Sequence, residues 1–321
     1  MNTYLHRQIY EELLKAKHPV FISDRRIDGD SLGATLAMVD LMKSQGVKVP
    51  VYISEALPEQ YQGLPHSEHC TEDKTIFNHP DLDLVVVFDC SEAEFVQELL
   101  EDSITSPKVI NIDHHATNSR YGHINQVIVD SPATAEVVYK FYQVNNLMPS
   151  KEAATCMLTG IFYDTTALSN SATNDRALEA ASDLILCGAR IQDVIKAMFN
   201  NRSVAALKIW GKALERLRVH PEFGFVTTCI LREDLDKNGV TDEELGGLSN
   251  FLNYVVDTDT VFVMHETKDG GIKVGMRSFT QNVALIAKAM GGGGHVKAAG
   301  FTVPNSRLVC NNGTWSVVPY S

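Results

Sequence analysis

The chain has 321 residues, 44% of them hydrophobic and 21% charged, with a formal net charge of −12. That length suits two domains or one large one, and the composition is that of a soluble globular protein able to bury a sizeable core. The acidity argues against a protein that coats long nucleic acid, which needs many cationic contacts to phosphates; it leaves open a small phosphorylated substrate, or carboxylates gathered around metal ions.

In chain order, MNTYLHRQIYEELLKAKHPV reads as an amphipathic helix with charges throughout, so export is not expected. No run approaches 18 uncharged apolar residues, so no membrane span is expected either. HPVFIS (18–23) predicts a strand and SLGATLAMVDLMKSQG (31–46) a helix closed by Gly46. VKVPVYIS (47–54), LDLVVVFDCS (82–91) and KVINIDHH (108–115) predict further strands. A segment as apolar as VVVF is buried on both faces, which indicates a parallel sheet covered by helices. After QVIVDS (126–131), the stretches ATAEVVYKFYQVN, KEAATCMLTGIFYD and ALEAASDLILCG read as helices, the last with a glycine stop signal. Residues 191–218 read as helix, polar break, helix. They divide an α/β domain (1–190) from a smaller α+β domain (219–321) and form a helical linker between them. In the second domain FGFVTTCIL, DTVFVMHET and GIKVGMRS predict strands, and EELGGLSNFLNY and NVALIAKAM predict helices. Cys70, Cys90, Cys156, Cys187, Cys229 and Cys310 form no CxxC pair and read as reduced thiols of a cytoplasmic protein.

Acidic residues recur where apolar segments end. Asp28 and Asp30 lie in the turn after the first strand, Asp89 ends LVVVFD, Asp113, His114 and His115 end VINI, and Asp164 follows GIFY. In a parallel sheet the carboxyl ends of the strands share one edge, where α/β sheets place ligands. Singly, each residue has a structural role open to it: Asp28 and Asp30 as a helix N-cap, Asp89 and Asp164 as Asx turns, one His as a polar strand end. Together, like charges at one edge are unfavourable unless cations hold them. An oxygen-rich set with one imidazole suits Mn²⁺, Mg²⁺ or a similar ion. Two such ions sharing a carboxylate would clamp the attacking and leaving oxygens of a phosphoryl displacement.

IDGDSLGA, VVFDCSE, INIDHHATN and GIFYDTTA resemble, in order and separation, the four motifs of the DHH phosphoesterase family. VGMRSFTQNVALIAKAMGGGGHVKAAGF resembles the family's DHH-associated C-terminal domain, with its GGGH-x-x-AAG signature. The resemblance spans residues 15 to 302 and implies a parallel-sheet DHH domain followed by a smaller α+β domain, with the active site in the cleft between them. It implies two divalent ions, Mn²⁺ first and Mg²⁺ as the other candidate, held by Asp28, Asp30, Asp89, His114 and Asp164, with Asp89 as the bridge. His115 would then lie beside the reacting phosphate, as general acid or as a stabiliser of charge. In the second domain Arg277, His295 and the backbone of Gly293 and Gly294 would hold a phosphate or terminal nucleotide, with Ser278 and Lys297 as lesser candidates. The chain most resembles the nanoRNase branch, whose members degrade very short oligoribonucleotides and often dephosphorylate 3′-phosphoadenosine 5′-phosphate. Short RNA or small phosphorylated nucleotides are therefore the expected partners, with a homodimer left open.

The chain departs from that branch at two places. Where relatives write His-x-Asn-Pro-Asp-x-Asp it has Asp24-Arg25-Arg26-Ile27-Asp28-Gly29-Asp30, so Asp24 stands in place of the first metal-binding His. In DTTALSN, Thr166 and Leu168 replace the usual Gly and Phe, a change expected to touch packing more than chemistry. The alternatives are a phosphodiesterase for cyclic di-AMP or pApA, and a degenerate member that binds a nucleotide without turning it over. An inorganic pyrophosphatase or polyphosphatase shares the first four motifs but fits GGGHVKAAG poorly.

Overall fold

A computed structural model of the chain describes residues 3–199, 203–311 and 314–320. It divides into two units, Met1–Asn201 and Arg202–Ser321.

The first unit contains α1 (Thr3–Lys15), β1 (Pro19–Ile22), α2 (Gly29–Ser44), β2 (Val51–Tyr52), β3 (Cys70–Thr71), β4 (Leu84–Phe88), α3 (Ala93–Leu100), β5 (Lys108–Asp113) and β6 (Ile124–Val127). The helices α4 (Thr134–Val144), α5 (Lys151–Thr165), α6 (Asp175–Leu186) and α7 (Ile191–Phe199) follow. All six strands pair in parallel, in the order β3-β2-β1-β4-β5-β6. The chain runs outward from β1 to β3 and then returns to lay β4 on the other side of β1. The turns after β1 and β4 thus leave the topological switch point of the sheet. Of the expected strand 47–54 only Val51–Tyr52 pairs, because Pro50 has no N–H to give the ladder. Helix α3 was not anticipated, although Phe95, Val96 and Leu99 form its buried stripe.

Alternation along the strands feeds two cores. Phe21, Val86, Phe88, Ile110 and Ile112 pack with the helices α1, α2, α4 and α5, while Val20, Ile22, Val85, Val87 and Val109 pack with α3. Helix α2 is buried almost all round, since it packs on both α4 and α5. Two glycines permit that approach: a Cβ on Gly33 would stand 2.4 Å from the Cys156 carbonyl, and one on Gly160 would stand 2.5 Å from the Ala135 Cβ.

The second unit contains α8 (Val204–Glu215), β7 (Arg218–His220), β8 (Phe225–Ile230), α9 (Arg232–Asn238), α10 (Leu248–Val255), β9 (Thr260–Glu266), β10 (Ile272–Ser278) and α11 (Val283–Ala289). It ends with β11 (Gly293–His295), β12 (Ala298–Val303) and the hairpin β13 (Ser306–Asn311) and β14 (Thr314–Pro319). Its mixed sheet has the order β11-β12-β10-β9-β8-β7, parallel only between β8 and β9. The two helices expected as a linker each join a core: Val194 and Ala197 of α7 lie in the first unit's core, and Ile209, Trp210 and Ala213 of α8 in the second unit's. The polar break at 200–202 lies outside the described residues. Among the described residues no helix is long and apolar enough to cross a membrane.

Candidate active site

The turn after β1 is fixed by its own side chains. Asp28 is the N-cap of α2, its Oδ1 accepting the backbone N–H of Asp30 (3.0 Å) and Ser31 (2.9 Å), and Ser31 Oγ returns the bond from the Asp28 N–H. The structural reading of Asp28 is therefore correct, and it leaves Oδ2 outside the cap. Asp30 is fully buried and caps a different helix: its two oxygens accept the N–H of Thr134 (2.6 Å) and Ala135 (2.8 Å), the start of α4. Ala133, the N-cap of α4, offers no side-chain bond, so an aspartate 104 positions before Thr134 does its work.

Asp89 follows β4 with φ 61°, in the left-handed region that Asp tolerates better than most residues, and its Oδ1 accepts Thr134 Oγ1 at 2.6 Å. His114 hangs its Nδ1 on the Ser131 carbonyl (3.1 Å), which puts the proton there and leaves Nε2 with a lone pair. That Nε2 is buried without a hydrogen-bond partner and faces Asp164 Oδ2 at 3.2 Å, Asp89 Oδ1 at 3.6 Å and Asp30 Oδ2 at 4.0 Å. Asp164 reaches this point from the last turn of α5, the helix expected over KEAATCMLTGIFYD.

The electrostatics are those of a cation site. Burial pushes Asp28 up to about 6 and Asp30 up to about 8, with the charge of Asp164 adding to both. Asp89 is driven well above the usual carboxylate range by burial and by Asp30 and Asp28. Burial works against protonation of His114, but Asp164 and Asp30 outweigh it and raise that imidazole to about 9. Carboxylates forced upward and an imidazole held between them are relieved together when a divalent ion replaces the protons. The donors present, carboxylate oxygens and one neutral imidazole nitrogen, fit such an ion.

His115 borders this cluster, its Nδ1 3.6 Å from Asp89 Oδ1, but its hydrogen bond goes to another carboxylate. Its Nδ1 bonds Asp113 Oδ1 at 2.8 Å and its side chain is 46% exposed, so its other nitrogen is accessible. Asp113 is buried; its Oδ1 also accepts the N–H of His114 and His115, and Asn118 Nδ2 binds its Oδ2. Burial alone would raise Asp113, but the bonds from His115 and Asn118 hold it below the usual range. Asn118 and Tyr121 in turn bind the Cys90 carbonyl just after Asp89. Sequence reading gathered Asp113 with the strand-end acids but gave it no role, and did not single out Asn118, at the end of INIDHHATN, or Ser131 and Thr134.

Asp24 is half-buried, and its Oδ2 accepts the Arg26 N–H at 3.3 Å; its charge reaches Asp28, but it is not among the groups around His114. The Arg25 guanidinium is engaged elsewhere, with Glu98 at 2.7 Å and over the Phe95 ring. Beyond Asp164 the backbone is left-handed at Thr166, Ala167 and Leu168 in succession. A glycine fits that φ at position 166 without strain, so the departure there falls on the backbone as well as on packing.

In the second unit GGGGH is not a loop. Gly293, Gly294 and His295 form edge strand β11, and Cβ atoms on Gly292 and Gly294 would meet the backbone of Gly300 and Ala298 at 2.2 and 2.6 Å. Register aligns Arg277, Ala298 and His295 in one row and Gly275, Gly300 and Gly293 in the next row on the same face. Gly293, Gly300 and Ala298 make a shelf with little or no side chain, bounded at Gly275 by the Ser249 hydroxyl of α10, which stands 3.1 Å from where a Cβ would be, and Arg277 and His295 lie about 10 Å apart at its sides. Among the described residues the partners of Arg277 are neutral, Asn250 Oδ1 and the Met276 carbonyl, and burial lowers its pKa. Ser278 is turned inward, its hydroxyl bonded to Asp259, Thr260 and the Gln281 N–H. Lys297 is exposed.

Residues 20–161 match the DHH family N-terminal domain, and residues 224–311 match the DHHA1 domain. A protein of Thermus thermophilus named bifunctional oligoribonuclease and PAP phosphatase NrnA is 29% identical, over 92% of this chain and 88% of its own. The cyclic-di-AMP phosphodiesterase PdeA of Listeria monocytogenes is 25% identical, over 91% of this chain and 46% of its own. The fold matches the crystal structure of an exopolyphosphatase-related protein from Bacteroides fragilis with a TM-score of 0.81 at 21% identity, covering 93% of this chain and 90% of that one.

Proposed function

The chain belongs to the DHH family, with a DHHA1 domain, and is a phosphoester hydrolase; we propose that its substrates are very short oligoribonucleotides and 3′-phosphoadenosine 5′-phosphate. The observation that carries this reading is the convergence of Asp30, Asp89 and Asp164 on the unpartnered Nε2 of His114 at the switch point of the sheet. Asp28, Asp30, Asp89, His114 and Asp164 would hold two divalent cations, Mn²⁺ by preference because one donor is an imidazole, with Asp89 serving both and Asp24 adding a carboxylate from the β1 turn. Such ions supply Lewis-acid stabilisation of the phosphoryl group in displacement. The chain's own residues do the rest. Asp113 fixes Nδ1 of His115, and the ring's other nitrogen delivers a proton to the leaving oxygen. Arg277 and His295 hold a phosphate, and the glycine shelf admits a nucleotide close to the backbone.

Support for a small nucleotide comes also from the Thermus relative, which is aligned along nearly all of both chains. The test is hydrolysis, with Mn²⁺, of a labelled RNA dinucleotide, a five-nucleotide RNA, a 24-mer, 3′-phosphoadenosine 5′-phosphate, pApA and cyclic di-AMP. The proposal expects the dinucleotide, the five-mer and the bisphosphate to turn over much faster than the 24-mer. Turnover of cyclic di-AMP or pApA above the others would favour the phosphodiesterase reading, and binding without turnover of any would make the chain a nucleotide-binding protein.

A further inference from the structure

The segment between β2 and β3 carries a second group of donors that the hydrolysis does not use. In HSEH, the 3₁₀ turn Ser67–His69 brings one nitrogen each of His66 and His69 and a Glu68 oxygen within 4.8 Å of one another. Each imidazole is oriented by a bond on its far side. His66 Nε2 meets Asp40 Oδ1 at 2.7 Å, and His69 Nδ1 meets the Val49 carbonyl at 3.0 Å. Burial would raise Asp40, but bonds from His66 and Ser150 hold its carboxyl low, so it is an acceptor like the carbonyl. The protons therefore sit on those far nitrogens, and the lone pairs of His66 Nδ1 and His69 Nε2 both face Glu68, whose Oε1 is 4.0 and 3.9 Å away.

His66 is only 6% exposed, and its Nδ1 is buried with no hydrogen-bond partner. A buried ring nitrogen left so is costly unless something occupies it. Carboxylate-held and carbonyl-held imidazoles presenting free nitrogens are the usual surroundings of a metal ion. Ligands of a tetrahedral ion at about 2.0–2.1 Å stand roughly 3.3 Å apart, and the 66%-exposed Glu68 can close its own 4.0 and 3.9 Å contacts to that distance.

We propose that His66, Glu68 and His69 form a site for one zinc-class divalent cation, separate from the catalytic centre, with a fourth position open to water. Two nitrogens and one oxygen favour Zn²⁺, Co²⁺ or Ni²⁺ over Mg²⁺. The ion would tie the turn that leads into β3 to α2 through Asp40, which lies ten residues, or about 15 Å of helix, beyond Asp30. The test is calorimetric titration of the chelator-stripped full chain with Zn²⁺, for the unsubstituted protein, Glu68→Ala and His69→Gln, with circular dichroism to establish that each is folded. The expected result is loss of about one zinc equivalent in His69→Gln and at least about tenfold weaker binding of that equivalent in Glu68→Ala, with Mn²⁺-dependent dinucleotide hydrolysis kept. Equal zinc stoichiometry and affinity in all three proteins would overturn the site, whatever substrate the enzyme proves to cleave.

Discussion

At the scale of the residue, the site separates a side chain that holds charge from one that moves a proton. His114 and His115 are neighbours and both are held at Nδ1, the first by the Ser131 carbonyl and the second by Asp113, but Nε2 of the first turns into the carboxylates while the second ring is 46% exposed. His115→Ala is expected to cut kcat by about 10²–10⁴ while Mn²⁺ affinity, measured by titration, stays within a factor of two or three. Loss of metal instead would put His115 among the ligands. The two His residues and Asp89 were legible because their chemistry stands at the ends of strongly apolar runs. Thr134 and Ser131 were not, since a hydroxyl and a carbonyl acting on residues 17 to 45 positions away leave no mark on local pattern. Asp24 is the open position of the set. Restoring an imidazole with Asp24→His should tighten Mn²⁺ and raise the Mn²⁺-to-Mg²⁺ activity ratio, and constancy of both would remove Asp24 from the metal.

At the scale of the element, helices α2, α4 and α5 are packed so closely that structure and catalysis share atoms. A methyl group on Gly160 would press on Ala135 Cβ at 2.5 Å and on Asp30 Oδ1 at 2.6 Å. Gly160→Ala is therefore expected to cost about 1–3 kcal/mol, read by denaturant unfolding, and to reduce hydrolysis as well, because the displaced oxygen caps α4 and belongs to the carboxylate whose other oxygen faces His114. Gly211 on α8 has nothing within 4 Å, and Gly211→Ala should instead stabilise by about 0.5–1 kcal/mol. The second unit holds α8 to α9 through charge: Lys212 and Arg216 both bond Asp234, whose side chain is 3% exposed. Burial alone would raise Asp234, but the bonds from Arg216 and Lys212 hold it below the usual range. Its pKa is lower folded than unfolded, so its contribution is complete above about pH 4 and is lost as pH falls through the folded value. Asp234→Asn should cost about 1.5–3 kcal/mol at neutral pH and flatten the acid limb of stability, with an unchanged limb as the contrary result. The helices and strands themselves were largely legible from their periods. Register was not: that GGGGH is a paired edge strand follows from a hairpin with β12 only three to seven residues on, which a run of glycines does not signal, and that Ser278 points inward follows from Asp259, 19 positions earlier.

At the scale of the whole molecule, the two-domain order could be read from the sequence because each motif sits within a stretch whose period changes, from α/β alternation to antiparallel strands. The exchange of the expected linker for two core helices could not, since amphipathic helices look alike whichever core receives them. The net charge of −12 then sets what the enzyme can hold. A protein that tracks along a nucleic acid neutralises six to ten phosphates, and its affinity falls by about 10³–10⁵ between 50 and 200 mM salt. Here the cation in the DHHA1 unit that carries the argument is Arg277, whose described partners are neutral, with His295 beside the same shelf. One or two phosphate contacts on a single strand give a slope of about −0.7 to −1.4 in log affinity against log salt. KM for a dinucleotide should accordingly rise by less than about tenfold across that fourfold change in salt, and Arg277→Ala should raise KM at low salt and make the remaining slope shallower by about 0.7, with kcat little altered. A steep slope that survives Arg277→Ala would mean that the substrate lies along cations elsewhere on the molecule, and the shelf formed by Gly293, Ala298 and Gly300 would lose its role.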